Sequence, residues 1–193
     1  MSGWRIALWF ALAVPALWWG WALGRGAVTA FDLYHPTGEL SLRLMIAALL
    51  PGPLTAFFGL NRVLRAWLAI RRNLGVAGFA YAALHLAVYL IDMGAFSAML
   101  GEIGLPGIWT GWLALAMLAI PAAISTDAAM RALGRRWKHL QRLVYPALLL
   151  ALIHWALLDR AWGPALVHLA PLAFAWSLRL AAARGTPFHR RPA

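Results

Sequence analysis

The chain has no cysteine and only six acidic residues among 193. Without thiols there can be no disulfide, no thiolate-held zinc and no protein-ligated iron–sulfur cluster. Histidine is therefore the best metal ligand on offer. Charged residues make up 12% of the chain and hydrophobic ones 63%, whereas a soluble domain carries about 25% charged residues. Six carboxylates cannot dress a water-facing surface of this size. There is also no internal repeat and no segment polar enough to form a soluble domain. These shortages, with a mean hydropathy of +0.72, define an integral membrane protein. The length suits about six spans of roughly 20 residues. The expected fold is all-α, a polytopic membrane helix bundle forming one domain over residues 1–193.

The apolar runs place the spans at about 4–24, 41–60, 74–91, 108–125, 143–158 and 164–180. The first is long and tryptophan-rich with only Arg5 ahead of its core, so it reads as a retained helix rather than a cleaved signal. Pro51-Gly52-Pro53 should kink or break the second near its middle. NRVLRAWLAIRRN, ahead of span three, reads as a short interfacial helix. Residues 126–142 form a second basic connection containing a short helix, and the tail after Leu180 reads as frayed.

The net charge of +11 is a matter of topology, not of nucleic-acid binding. With the N-terminus in the cytoplasm, that side collects Arg62, Arg65, Arg71, Arg72, Arg131, Arg135, Arg136, Lys138 and Arg142, with Asp127 its lone acid. The opposite side holds Asp32, Glu39, Asp92, Glu102 and Asp159 against Arg25, Arg43 and Arg160. This is the positive-inside pattern, with both termini cytoplasmic.

Six histidines remain to be sorted. His35 and His189 fall in connection and tail, and His139 in the basic lead-in to span five. His85, His154 and His168 lie inside apolar spans, where ionisable side chains face the bundle interior and mark function. His85 stands thirteen residues after Arg72 and His154 twelve after Arg142. Spans three and five run in the same direction, so a helical rise of about 1.5 Å per residue sets both imidazoles roughly 18–20 Å above those arginines. Two histidines at matched depth on parallel-running helices can ligate one heme iron from opposite faces. The alternative is that each hydrogen-bonds a neighbouring helix.

Gly78, Tyr81 and Tyr89 share the helical face of His85. Gly78 would let a flat macrocycle approach the backbone, or else serve helix packing. Tyr89 would touch the cofactor or anchor the membrane interface. His168, in the outer half near the level of His154, is expected to support a cofactor, for instance through a propionate, or to be structural.

The segments LGVAGFAYAALHLAVYL (74–90) and STDAAMRALGRRWKHLQRLVY (125–145), with the downstream His154, resemble the heme-binding membrane subunits of bacterial periplasmic methionine sulfoxide reductase systems. These belong to the ferric-reductase-like transmembrane group, and TGELSLRL (37–44) resembles their second-span start. The likeness runs from about Thr37 to Leu158. It implies a b-type cytochrome of the bacterial inner membrane. Such a subunit passes electrons from a cytoplasmic-side quinol or reduced flavin, through heme, to a periplasmic molybdenum-containing methionine sulfoxide reductase that repairs oxidised envelope proteins. It has no sulfoxide-reducing site of its own. The family's span-three and late span-five histidines match His85 and His154.

Two positions lack a histidine that relatives would carry there. Gln141 stands where the family carries a further histidine, thirteen residues before the late one, and Ala98 stands thirteen after His85. One heme b is therefore expected. Arg71, Arg72, Arg135, Arg136 and Arg142 would hold the phosphate of FMN, or only set topology and meet anionic lipid. A quinone near Gln141 is the other donor site considered. The rival functions are a metal reductase core with another acceptor and a non-redox membrane protein.

Overall fold

The computed structural model describes residues 3–184; the tail expected to fray lies largely outside them. Ten helices follow in order: α1 (Gly3–Gly24), α2 (Tyr34–Leu49), α3 (Pro51–Phe58), α4 (Arg62–Met93), α5 (Phe96–Glu102), α6 (Pro106–Ala123), α7 (Asp127–Leu133), α8 (Arg135–Gln141), α9 (Val144–Leu158) and α10 (Gly163–Ala183). Six stretches are long and apolar enough to cross a membrane: α1, α2 with α3, α4, α6, α8 with α9, and α10. The protein is an all-helical, multi-pass membrane bundle.

One sequence expectation holds and another shifts. Pro51-Gly52-Pro53 divides span two at Leu50, as expected. Leu50 keeps helical dihedrals, its N–H reaches the Ile46 carbonyl, and its own carbonyl accepts from Leu54. Proline at the first turn of a helix gives up an N–H that would be orphaned there anyway. The basic stretch before span three is not a separate interfacial helix. It forms the first turns of α4, a continuous rod of 32 residues capped by Asn61, whose side chain accepts from the Leu64 N–H. No proline interrupts Arg62–Leu74, so nothing in the backbone requires a break. Trp67 secures the extension by donating its indole N–H to the Ala47 carbonyl.

The bundle is organised as two tightly packed helix pairs. α2 lies along α4, and α6 lies along α9, whereas α4 meets α6 and α2 meets α9 only at scattered points. Small residues permit both close approaches, as they do between membrane helices generally. On α4, Gly78 backs onto Ser41 and Met45, and its carbonyl accepts from the Ser41 hydroxyl at 2.8 Å. On α6, Gly107 and Gly111 form a G-x-x-x-G face against α9. α10 closes the bundle against α3. The main buried cluster joins Leu42, Met45, Ile46, Leu118, Leu148, Leu152 and Leu172. A smaller one gathers Ala30, Leu33 and Val88.

α1 stands apart, its apolar side chains mostly exposed, as befits a helix facing lipid. Tyr81 of α4 is its clasp, so this tyrosine is buried and does not anchor an interface. Its hydroxyl donates to the Leu12 carbonyl at 2.6 Å and accepts from the Ala16 N–H at 3.3 Å, just beside Pro15. Tyr81→Phe should loosen this attachment by about 1 kcal/mol. Faster amide exchange in α1, with exchange elsewhere unchanged, is the expected readout.

Candidate functional site

His85 and His154 meet between the two helix pairs. Their ring centroids are 6.0 Å apart and their planes cross at 88°. Two imidazoles sharing one metal through bonds of about 2 Å have centroids on the order of 6 Å apart.

Each ring is held by the partner helix of its own pair. His85 Nδ1 lies 3.0 Å from the Tyr34 carbonyl and 3.1 Å from Thr37 Oγ1, both on α2. The Thr37 hydroxyl donates to the Leu33 carbonyl, which leaves its lone pairs free for the ring. His154 Nδ1 lies 2.5 Å from the Gly107 carbonyl on α6. A carbonyl only accepts, so in both rings Nδ1 carries the hydrogen and Nε2 keeps the lone pair. This is the tautomer a metal ligand requires. The alternative raised by the sequence, histidines that merely bond a neighbouring helix, describes Nδ1 and leaves Nε2 available.

Glycine gives both rings their room. A Cβ at Gly111 would stand 2.5 Å from His154 Nδ1 and 2.6 Å from its Cε1. One at Gly38 would stand 3.3 Å from His85 Nδ1 and Cε1. The tyrosine of Tyr34 packs edge-on against His85 at 6.1 Å.

The other sequence candidates lie elsewhere. Gly78 makes its close approach to the α2 backbone, as the packing alternative expects. Tyr89 donates to Glu102 Oε2 at 3.1 Å and packs against Tyr34, tying α4 to α5. Gln141 is committed to α6: its amide donates to the Pro121 carbonyl at 3.0 Å and reaches Ser125 Oγ at 3.4 Å. Arg72 pairs with Asp127, and this guanidinium holds the Asp127 carboxyl below the ordinary carboxylate range. The depressed value means that the pair's contribution is present above that range and is lost as pH falls through it. Arg142 lines a basic hollow of about 370 Å³ with Gly134, Arg135, Lys138 and His139.

His168 is not joined to the histidine pair. It faces Glu39 and Arg43 of α2, with Nε2 3.0 Å from Glu39 Oε1 and 3.3 Å from Arg43 Nε. Sequence reasoning missed this cross-helix cluster, and it missed Thr37, Gly38, Gly107 and Gly111. Only the G-x-x-x-G spacing of the last two was a readable signal.

The architecture is that of a membrane helix bundle with one histidine from each of two helix pairs facing across its interior. Residues 37–152 match the family described as ferric reductase like transmembrane component, and the chain belongs to that family. Among curated relatives it is similar to the protein-methionine-sulfoxide reductase heme-binding subunit MsrQ. With the MsrQ of Klebsiella pneumoniae (strain 342) it shares 35% identity over 178 residues, covering 89% of this chain and 85% of the relative. With that of Salmonella paratyphi B it shares 34% over 178 residues, covering 89% and 87%.

Proposed function

We propose that this chain is a single-domain b-type cytochrome subunit of the bacterial inner membrane that binds one heme through His85 and His154. The observation that carries the reading is the pair itself: two imidazoles of the right tautomer at the spacing of a shared metal. Among the described residues no group of three histidine or carboxylate side chains is placed to hold a metal ion. A metal held by two histidines alone needs a ligand that brings its own donors, and a macrocycle is such a ligand. The two histidines stand on different helix pairs, so a group they share would lie between the pairs. When bound, the heme supplies a one-electron couple inside an otherwise redox-inert bundle. The protein's work is to hold both ring orientations through Tyr34, Thr37 and Gly107, and to keep water away with apolar helices.

With the termini in the cytoplasm, the basic loops face the electron donor. Quinol or reduced flavin is the donor class, and the hollow around Arg142 offers unneutralised cations to a phosphate such as that of FMN. The acceptor is a periplasmic molybdenum-containing methionine sulfoxide reductase, supported by what the MsrQ relatives are named for. Mixing the reduced protein with that oxidised catalytic subunit should reoxidise the heme much faster than buffer alone. A rate unchanged by the catalytic subunit would move the acceptor elsewhere, toward the metal-reductase alternative.

A further inference from the structure

The outward part of α2 carries His35, Glu39 and Arg43 at successive helical turns, a stripe that meets α9 and α10. Glu39 Oε1 accepts from Arg43 Nη2 and lies 3.0 Å from His168 Nε2, while His35 Nδ1 is 3.8 Å from Glu39 Oε2. His35 and His168 both pack against Trp155, with ring centroids 5.3 and 5.0 Å away. The Trp155 indole is held by Asp159 at 2.6 Å. Charged groups inside a span are costly and are retained where they do something. Nothing in the helix packing described above uses this one.

We propose that the His168–Glu39–Arg43 cluster is a proton-binding site coupled to the heme: it takes up one proton when the protein is reduced and releases it on reoxidation. The proposal rests on the heme reading above. His168 Nδ1 donates to the Pro164 carbonyl at 2.8 Å, so Nε2 is the atom that gains or loses the proton. Bare, Nε2 accepts from Arg43 Nε–H; protonated, it donates to Glu39 Oε1. Both states have a partner already in place, and neither requires the ring to turn.

The charges favour the coupling. Arg43 and Glu39 cancel, so the proton leaves the cluster with a net positive charge, which an added electron nearby stabilises. The cluster is joined to the histidine pair through chain neighbours on two helices. Trp155 follows His154 in α9, and Gly38, which packs on His85, precedes Glu39 in α2. The groups facing His168 are Glu39 and Arg43 of α2, with His35 behind Glu39 and Asp159 behind Trp155; α3 contributes no titratable residue. The route for the proton is through His35. Its side chain is 58% exposed, against 22% for Glu39 and 17% for His168. In the balanced step, the donor's electron reduces the heme and a proton moves from water to Nε2; both leave on reoxidation.

The test is an optical redox titration of the purified full chain between about pH 5 and pH 8, the range in which histidine changes charge. The midpoint potential should fall as pH rises, toward 59 mV per unit for one proton per electron. His168→Gln and Glu39→Gln should keep the b-type spectrum and flatten that dependence. A potential independent of pH in the parent, or a slope that survives both substitutions, overturns the proposal. A chain with no b-type spectrum at all would instead overturn the heme reading beneath it.

Discussion

Gly111→Ala is expected to strip most of the heme from the protein although the substitution adds only a methyl group. The new Cβ would overlap the His154 ring at 2.5 Å, a separation real Cβ contacts do not reach. Relief requires the ring to leave the Gly107 carbonyl that fixes its tautomer, or α6 to move off α9. The second would also pull Gly107 out of its close contact with Leu157 and Leu158. Loss of the hydrogen-bonding support behind a metal ligand costs about 10–100-fold in affinity. The heme-to-protein ratio of protein grown with ample heme should fall accordingly. Gly38→Ala is the internal comparison. Its Cβ would be 3.3 Å from His85, so a shift of a few tenths of an ångström suffices and most heme should be retained. Equal retention by the two variants would mean that ring placement is not what Gly111 provides.

His85→Ala and His154→Ala should each abolish stable heme binding, and with it the dithionite-reduced b-type band. His168→Ala should keep the band, because His168 faces Glu39 and Arg43 and not the pair. The two histidines are not equivalent in their surroundings. His85 has two acceptors on α2, and His154 has one on α6. Even so, both losses should be complete, since on the proposed ligation each would remove one of two metal–ligand bonds and leave one imidazole. A normal spectrum in either variant would overturn the ligand assignment. It would send the search to other side chains between the helix pairs.

The histidine pair was legible in the sequence because depth along a membrane helix needs only a boundary and a rise per residue. Arg72 and Arg142 supplied the boundary, and the apolar runs guaranteed the helix. The same logic placed His168 near the correct level but could not tell which way it faced. Its partners, Glu39 and Arg43, lie more than 120 residues away on α2, and no periodicity in α10 points to them. Gly78 shows a related limit. A glycine on the ligand's face announces a close approach, but whether to a cofactor or to a helix depends on what packs there, and α2 was invisible from α4 alone. The join of the basic stretch to span three was missed because amphipathic composition was read as a boundary. The backbone has no proline there, and a helix ends where its hydrogen bonds do.

The arrangement of the bundle as two helix pairs has a consequence for how the protein is made. α2 and α4 are both complete before the segment for α6 has been synthesised, and chains fold in units as they emerge. His85 can thus be seated on Tyr34 and Thr37 in a half-built protein, while His154 arrives only with the last third of the chain. On the proposed ligation the heme would then act as a late staple between the pairs, adding to the buried cluster that already joins them. Under heme starvation the protein should accumulate with the join between its halves weakened.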